Sequence, residues 1–550
     1  MIIAIPFIRI FQYVFNWGAR VLPWRKAVPI EGPGSIGRIP ELLGKLKVTK
    51  PLLVTDKGLV NAGIAGRVAD VLEKAGIPHV MFSDVEANPS VNMVDTIREM
   101  YLAKNCDGFI ALGGGSSIDA AKGAAARVVR PKKSVIKMGG LFRVLKRIPP
   151  FIAIPTTAGT GSETTIAALI TDTATSHKYA IIDLCLVPRY AVLDLELTTG
   201  LPPGLTATTG MDALTHAVEA YLCWTYNTRE SKRFALDAVK LIFANIENVY
   251  ADGSNISARQ AMLLASYKAG FAFTRAGVGN IHSIAHTLGG LYNTPHGLAN
   301  AVILPVVLED YGKKVHRKLA RLADVACIVS ARASMPGAAA KTTKAEKARM
   351  FIEAIYAMNR RMGIPTGFDC IKSEDIPRMI KWAGRESNPL YPVPVVYGKK
   401  RFRRIIESLR KNVYRITEAC IGCGICAKLC PVFAITMEQG VRHSINEMRC
   451  VACGVCGRSC PKAAIIDPEG KTCVQVKRSQ WQKPVINTKL CSACSICVND
   501  CTPGALKISM PQFRGDIRVY AELAHSEKCT ACGICQRHCP LGAIKMEAVS

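Results

Sequence analysis

The hydrophobic pattern changes character twice along the chain. Between residues 51 and 194, short apolar runs rich in β-branched residues alternate with helical segments, which predicts an α/β domain with a mainly parallel sheet. The strand-like runs cover residues 51–55, 108–112, 151–154 and 191–194. Residues 205–410 have the pattern of successive helices. Beyond residue 414, cysteine-rich segments with short β-like runs recur four times, which indicates internal repetition.

Residues 1–24 are apolar and aromatic, but the stretch is short and contains two arginines, so it does not predict a membrane span. Arranged as a helix from Pro6, the segment has an apolar face formed by Pro6, Phe7, Ile10, Phe11, Val14, Gly18 and Val21. The opposite face carries Arg9, Gln12, Asn16 and Arg20. We therefore predict an amphipathic helix that docks on its own protein or a twin subunit, or else lies in a membrane interface.

Composition and charge narrow the class of protein. With 550 residues, 49% of them hydrophobic, the chain has enough apolar material for several cores. The net charge of +29 suits an acidic partner protein, an anionic membrane surface or nucleic acid, and the charge alone selects none of them. No nucleic acid partner is expected. Sixteen of the 22 cysteines have metal-binding spacing in a chain without a secretory leader. A reducing compartment, the cytoplasm, is therefore expected, with contact at the membrane surface as an alternative.

Two turns carry the signal for a nucleotide. The strand at 108–112 runs into Gly113, Gly114 and Gly115 and then a helix start, where bare backbone lets a pyrophosphate approach the helix N-terminus. The threonine-rich turn at 155–163 also follows a strand and offers hydroxyl donors. Asp56 ends the first strand, where a carboxylate accepts both ribose hydroxyls and repels a 2′-phosphate, which favours NAD over NADP. Alternatively, the glycine turn binds no ligand, and Asp56 simply ends its strand without contacting a ribose.

Two short segments carry candidate metal ligands. Asp212 and His216 are four residues apart, hence on one face of a helix, and His282 and His286 repeat that spacing. His296 follows in the sequence Asn-Thr-Pro-His-Gly. Three imidazoles and one carboxylate suit Fe²⁺ or Zn²⁺.

Together these motifs resemble the iron-containing, group III alcohol dehydrogenases over about 385 residues. The motifs are Gly-Gly-Gly-Ser-Ser-x-Asp-x-Ala-Lys, Pro-Thr-Thr-Ala-Gly-Thr-Gly-Ser-Glu, Gly-Met-Asp-Ala-Leu-Thr-His-Ala-Val-Glu and His-Ser-Ile-Ala-His-Thr-Leu-Gly-Gly-Leu-Tyr-Asn-Thr-Pro-His-Gly. The resemblance implies a Rossmann-like nucleotide-binding domain followed by an all-helical metal-binding domain, the dehydroquinate synthase-like fold. It implies a metal held by Asp212, His216, His282 and His296.

The resemblance also implies residue roles around that metal. His286 corresponds to the active-site histidine near the substrate, where it would act as a proton relay. Contacts with NAD are implied for Asp56, Asn88, Gly114, Gly115, Ser116, Asp119, Thr156, Thr157, Thr160 and Lys178. The expected reaction is hydride transfer between an alcohol carbon and the nicotinamide, with the metal as a Lewis acid on the alcohol oxygen.

The motif Cys-x-x-Cys-x-x-Cys-x-x-x-Cys occurs four times beyond residue 414. Its cysteines are Cys420, Cys423, Cys426, Cys430; Cys450, Cys453, Cys456, Cys460; Cys491, Cys494, Cys497, Cys501; and Cys529, Cys532, Cys535, Cys539. Three units end in Cys-Pro, whereas the third reads Cys-Thr-Pro, and we still expect a [4Fe-4S] cluster there. Zinc ribbons lack the third and fourth cysteines at this spacing.

The four motifs resemble bacterial two-cluster ferredoxins, in which the fourth cysteine of one motif serves the cluster of the other. The resemblance implies two tandem α+β ferredoxin-like domains and four clusters. Cys460 would complete the first site and Cys430 the second; Cys539 would complete the third and Cys501 the fourth.

The predicted molecule is a multidomain, NAD-dependent alcohol dehydrogenase or aldehyde reductase with a ferredoxin module. Its predicted segments are residues 1–27, 28–200, 201–412, 413–470 and 471–550. Expected partners are a small alcohol or aldehyde and a redox protein such as a ferredoxin or flavoprotein, and a homo-oligomer is expected. The alternative is an electron-transfer subunit that uses the dehydrogenase portion as a scaffold, although a scaffold needs neither the metal ligands nor the glycine turn.

Overall fold

The computed structural model describes residues 4–172, 177–329, 342–411, 413–446, 449–468, 470–511, 513 and 518–548. The chain forms two compact units. The first comprises Met1–Pro365 with Asp375–Leu409, and the second comprises Thr366–Glu374 with Arg410–Ser550. Among the helices described, none combines the length and apolar character that crossing a bilayer requires.

The first unit begins with an α/β layer around a six-stranded, all-parallel sheet in the order β1-β9-β6-β4-β2-β3. Its strands are β1 Val28–Glu31, β2 Pro51–Val54, β3 Val80–Phe82, β4 Gly108–Gly113, β6 Phe151–Pro155 and β9 Tyr190–Leu193. A smaller sheet contains β5 Gly140–Leu141, β8 His177–Ile182 and β7 Ala167–Asp172. Every residue of β2, β4 and β6 is buried, as expected for strands covered on both faces.

Helices cover the sheet and then continue alone. Those of the α/β layer are α2 Ile39–Leu46, α3 Lys57–Asn61, α4 Ile64–Lys74, α5 Val91–Ala103, α6 Gly115–Val129 and α7 Val135–Met138. The helical layer contains α8 Pro203–Leu222, α9 Arg229–Ala251, α10 Ile256–Ala276, α11 Asn280–Tyr292, α12 His296–Tyr311, α13 His316–Val325, α14 Lys344–Arg361, α15 Ile376–Ser387 and α16 Lys399–Leu409. Because β2, β4 and β6 are adjacent and parallel, their carboxyl ends open on one edge, where α/β sheets bind ligands.

The amphipathic helix α1, Ala4–Arg20, packs on the first unit through its polar face. The guanidinium of Arg9 donates to the carbonyls of Val393 and Pro394 at 2.8 and 3.1 Å, and Gln12 is fully buried. The opposite face is exposed, with Phe7 at 68% and Trp17 at 73%. Amphipathic helices ordinarily bury their apolar face. In α1 the polar face is buried against the rest of the unit and the apolar face is exposed to solvent.

The second unit is built from short strands and single-turn helices. Its strands pair antiparallel as β10 Arg415–Ile416 with β11 Ile465–Ile466, β12 Lys483–Ile486 with β15 Ile544–Glu547, and β13 Leu506–Ile508 with β14 Ala521–Leu523. The helices are α17 Ile425–Lys428, α18 Val455–Ser459, α19 Ile496–Asn499 and α20 Ile534–His538. One apolar core gathers cysteines of the first and second motifs, and another gathers those of the third and fourth. The predicted α+β character follows from these pairings.

Candidate active site and cluster sites

The glycine turn lies between β4 and α6, and its glycines are required by space. A Cβ on Gly113 would lie 2.5 Å from the hydroxyl of Ser117, and one on Gly115 would lie 2.9 Å from Thr160. Gly114 caps α6 without a side chain, which leaves the first-turn N–H groups pointing out of the helix. Ser116 lies in that first turn and is partly exposed. The turn therefore has the bare backbone that a pyrophosphate needs.

The threonine-rich turn lies against the glycine turn. The N–H of Thr156 donates to the carbonyl of Gly113 at 3.1 Å, and Thr157 lies where a Cβ on Gly114 would touch it. Buried Lys122 holds this turn, because its ammonium donates to the carbonyls of Ser162 and Thr165 at 2.6 and 2.8 Å. Burial lowers the pKa of Lys122 to about 8. The structure thus brings Gly114, Gly115, Ser116, Thr156, Thr157 and Thr160 together.

The remaining predicted nucleotide contacts are more dispersed. Asp56 caps α3, accepting from the N–H of Leu59 at 3.0 Å, and its other oxygen lies 3.5 Å from the hydroxyl of Ser117. Asn88 donates to Asn293 at 2.7 Å. Asp119 is only 6% exposed and accepts from the N–H of Leu169, so its carboxylate ties α6 to β7. The side chain of Lys178 lies outside what the structure describes.

The predicted metal ligands converge. One ligand atom from each of Asp212, His216, His282 and His296 lies within 4.8 Å of the others. Burial lowers the pKa of His216 and takes that of His282 well below its ordinary value. This direction favours the neutral imidazole, the state in which histidine binds a metal.

Asn300, one turn after His296 on α12, marks the centre of this group. Its amide nitrogen lies 2.7 Å from Asp212 Oδ1, 3.1 Å from His282 Nε2 and 3.1 Å from His296 Nε2. Three acceptors thus surround one amide NH2 group, which has only two hydrogens to donate, in a buried site. A metal cation fits this set of acceptors.

Glu219 orients His282 from behind. Its carboxylate lies 2.6 Å from His282 Nδ1 and accepts the N–H groups of Gly279 and Ile281 at 2.8 and 2.9 Å. Burial raises the pKa of Glu219 to about 8, and the backbone donors oppose that rise. A carboxylate on the far nitrogen fixes the tautomer and direction of a ligating imidazole.

His286 lies beside the cluster but faces another carboxylate. Its ring is 5.1 Å from that of His296, and its Nδ1 lies 2.5 Å from Glu386. The hydroxyl of Tyr391 donates to the same Glu386 oxygen at 2.6 Å. His286, Glu386 and Tyr391 thus form a hydrogen-bonded chain beside the metal ligands.

The threonine-rich turn also touches the metal ligands. Burial lowers the pKa of His216, and the nearby backbone of Gly159 opposes that shift. A Cβ on Gly159 would lie 2.7 Å from Thr209 on α8. One turn therefore contacts the glycine turn on one side and the metal-ligand helix on the other.

The four cysteine motifs adopt the same loop. In each, the fourth cysteine sulfur accepts an N–H from an alanine four residues later, namely Ala434, Ala464, Ala505 and Ala543, at 3.2, 3.4, 3.2 and 3.2 Å. A left-handed residue precedes each second cysteine: Gly422, Ala452, Ala493 and Ala531. The displaced proline leaves the third loop unchanged in these respects. Repeated N–H···S contacts and clustered sulfurs suit thiolate-bound iron–sulfur clusters.

Sequence reasoning missed Glu219, Asn300, Glu386, Tyr391 and Lys122 as supporting residues. Glu219 and Asn300 stand three and four residues after a predicted ligand, a spacing that places them on the ligand's helix face. Glu386 and Tyr391 are 100 or more residues from His286 and carry no local signal.

Comparison with known proteins agrees with this arrangement. Family models described as "Iron-containing alcohol dehydrogenase" and "Fe-containing alcohol dehydrogenase family, C-terminal" match residues 29–195 and 206–409. Models for a "4Fe-4S dicluster domain" and a "4Fe-4S binding domain" match residues 419–464 and 525–545.

Curated and solved relatives point the same way. The NAD-dependent methanol dehydrogenase of Bacillus methanolicus is 36% identical over 364 residues, covering 65% of this chain and 93% of the relative. The 1,3-propanediol dehydrogenase of Citrobacter freundii is 36% identical, covering 65% of this chain and 90% of the relative. A crystal structure of a 1,3-propanediol oxidoreductase matches with a TM-score of 0.66 at 33% identity, covering 71% of this chain and all of that one. The chain therefore belongs to the iron-containing alcohol dehydrogenase family, is an oxidoreductase acting on CH–OH groups, and carries 4Fe-4S ferredoxin domains after its dehydrogenase portion.

Proposed function

We propose that this chain is an NAD-dependent dehydrogenase of small alcohols, reducing the aldehydes in reverse, with iron held by Asp212, His216, His282 and His296. The convergence of those four ligand atoms within 4.8 Å carries the proposal. The adjoining turns after β4 and β6 support it, because they offer bare backbone and hydroxyls to a dinucleotide within reach of the ligand helix. Relatives named for methanol and 1,3-propanediol support a small alcohol.

The chain's own residues divide the work. When bound, the metal would supply Lewis-acid polarisation of the alcohol oxygen. Glu219 holds the ring of His282, and burial of Asp212 and His282 keeps water from their far sides. His286 is placed to take the alcohol proton, and its hydrogen bond to Glu386 gives the resulting positive charge a counter-ion.

Metal content and activity test this proposal together. Protein purified without oxygen should oxidise small alcohols with NAD, and His282→Ala with His296→Ala should remove one iron per chain and abolish turnover. The cluster iron should stay. His316→Ala, a histidine of the same helical layer outside the ligand group, is the matched control. The ligand set suits both iron and zinc, so the metal content decides between them. One equivalent of zinc in active protein would overturn the iron assignment.

We further propose that the second unit binds four [4Fe-4S] clusters, one for each motif. The recurrence of the same loop and the same N–H···S contact four times supports that number. About sixteen irons with matching acid-labile sulfide are expected beyond the dehydrogenase metal. Stoichiometric zinc without sulfide would contradict the proposal.

A redox protein is the proposed partner of this module. A hydride carries two electrons together, whereas a [4Fe-4S] cluster ordinarily takes one, and the sequence offers no convincing flavin-binding segment to divide them. We propose that an external flavoprotein, ferredoxin or larger complex exchanges electrons with the clusters. The basic surface suits an acidic docking partner. If the dehydrogenase portion were only a scaffold, the wild-type protein would oxidise no alcohol. Substitution of its metal ligands would then leave electron exchange through the clusters unchanged.

We also propose that α1 attaches the protein to an anionic membrane surface, on the cytoplasmic side. Its exposed face includes Phe7, Ile10, Tyr13, Val14 and Trp17, all between 61% and 73% exposed, and no acidic residue lies on the helix. Arg25 lies just beyond this helix. Burial lowers the pKa of its guanidinium, and the nearby positive charges of Arg147 and Arg189 lower it further. Interfacial helices bind through an exposed apolar face, and positive charge strengthens their attraction to anionic lipids.

Vesicle sedimentation tests the attachment. The protein should bind phosphatidylglycerol vesicles more than phosphatidylcholine vesicles, and Val14→Asp with Trp17→Asp should abolish binding. Leu102→Asp, at another exposed apolar position of the first unit, is the matched control. If the double variant instead converts a dimer into a monomer and vesicles are not bound, a second copy covers α1 and the membrane proposal is wrong.

A further inference from the structure

The second and fourth motifs carry an arginine that the first and third lack. Arg458 and Arg537 each stand two residues after the third cysteine of their motif, where Lys428 and Asn499 occupy the other two motifs. Equivalent positions in repeated loops take equivalent places in space. The two arginines are therefore candidates for a contact between the two halves of the second unit.

The structure places these arginines as reciprocal clamps. Arg458 donates at 2.9 Å to the carbonyl of Cys453 in its own loop and at 2.9 Å to that of Ala531 in the fourth loop. Arg537 does the converse, donating at 3.2 Å to Cys532 in its own loop and at 2.8 Å to Val451 in the second loop. Each guanidinium thus ties its own second-cysteine turn to the turn of the other motif.

A buried apolar contact fills the space beside the clamps. Val455, Trp481 and Ala531 form one cluster, and the partly buried Cys453 and Cys532 pack against it. Trp481 is only 4% exposed, and its indole donates to Val476 at 3.1 Å. The second cysteines of the second and fourth motifs are therefore neighbours in one shared core.

The equivalent cysteines of the other two motifs face solvent. Cys423 and Cys494 are exposed, whereas Cys453 and Cys532 are partly covered. The cores described above already join the first motif to the second and the third to the fourth. Each half thus has one motif turned towards the other half and one turned away.

We infer that the four cluster sites form a linear series in the order first, second, fourth, third, with Arg458, Arg537 and Trp481 joining the two inner sites. The inference rests on the proposed binding of four clusters. Its consequence is that the outer sites, at Cys423 and Cys494, are the two places where redox partners exchange electrons. The module would then carry electrons between two docking sites, and the four cluster sites would not be equally accessible to redox partners.

Magnetic coupling between reduced clusters tests this order. Two reduced clusters broaden each other's electron paramagnetic resonance signals only when they lie close together. One variant removes the outer sites through Cys420→Ala, Cys423→Ala, Cys491→Ala and Cys494→Ala. The matched variant removes the inner sites through Cys450→Ala, Cys453→Ala, Cys529→Ala and Cys532→Ala. Each should retain about eight irons. The first should give a coupled spectrum and the second two uncoupled signals; the reverse would overturn the order.

A second pair of variants keeps all sixteen cysteines. Arg458→Leu with Arg537→Leu should retain about sixteen irons but lose the part of the broadening that arises between the halves. Arg442→Leu, which removes an arginine bonded to Ile416 within one half, should leave the spectrum unchanged. Unchanged broadening in the clamp variant would overturn the role of the arginines. Iron content below about eight in both cysteine variants would contradict the four-cluster proposal itself.

Discussion

His282 depends on Glu219 for the direction of its imidazole, because the carboxylate lies 2.6 Å from the ring nitrogen that faces away from Asn300. Glu219→Gln should lower metal affinity by roughly 10–100-fold, the usual cost of losing such a partner. Metal retained after dialysis against a graded chelator measures this. Glu386→Gln, which alters the partner of the non-ligand His286, should slow turnover and leave metal retention unchanged. Equal retention in both variants would contradict the role of Glu219.

Asp56 has two tasks, as the cap of α3 and as the proposed ribose contact. Asp56→Gly should narrow or reverse a preference for NAD over NADP, because the charge that repels a 2′-phosphate is gone. Glycine costs only a few tenths of a kcal/mol as an N-cap, so the fold should persist. The ratio of kcat/KM for the two cofactors is the measurement, with Asp84→Gly, at the end of β3 and paired with Lys57, as control. Wild-type protein that prefers NADP would contradict the assignment.

At the scale of elements, α1 is held by its polar side, and stability should reveal that. Gln12→Ala removes the donor to the carbonyls of Pro389 and Tyr391 and the acceptor of the Trp224 indole. Leaving such buried groups unpaired should cost about 2 kcal/mol of unfolding free energy. Val14→Ala, at a position on the opposite face that is 61% exposed, should change the unfolding free energy by less than about 0.5 kcal/mol. Thermal unfolding compares the two; a larger loss from Val14→Ala would mean that the apolar face is the docked one.

At the scale of the whole molecule, the two chemistries should be separable. Cys423→Ser with Cys494→Ser should damage clusters while leaving NAD-linked alcohol oxidation largely intact, because the hydride passes to NAD without the second unit. Activity and cluster absorbance, followed on one preparation, check this. Rapid bleaching of the clusters when alcohol and NAD are added to pure protein, with no partner present, would refute it and imply a further cofactor.

Local spacing in the sequence determined the parts whose chemistry lies within a few residues. The Asp212 and His216 pair, the glycine turn at Gly113 and the four cysteine motifs each place their groups through one helical turn or one loop. In the structure the four candidate metal-ligand atoms lie within 4.8 Å of one another, and the glycine turn leaves no room for a Cβ at Gly113. The periodicity of the sequence also predicted the polar and apolar faces of α1. The domain boundaries and the individual ligand roles stay predictions.

Tertiary structure alone decided the contacts between distant residues. Glu386 reaches His286 across 100 residues, Arg458 reaches Ala531 across 73, and Gln12 reaches Tyr391 across 379. A periodic pattern fixes which residues share a face, but which face is buried depends on the partner groups that the folded chain presents. For α1 those groups are the backbone carbonyls of Tyr391 and Val393 and the indole of Trp224. Hydrogen bonding to them outweighs the burial of the apolar stripe, because buried polar groups without partners cost more than exposed apolar side chains.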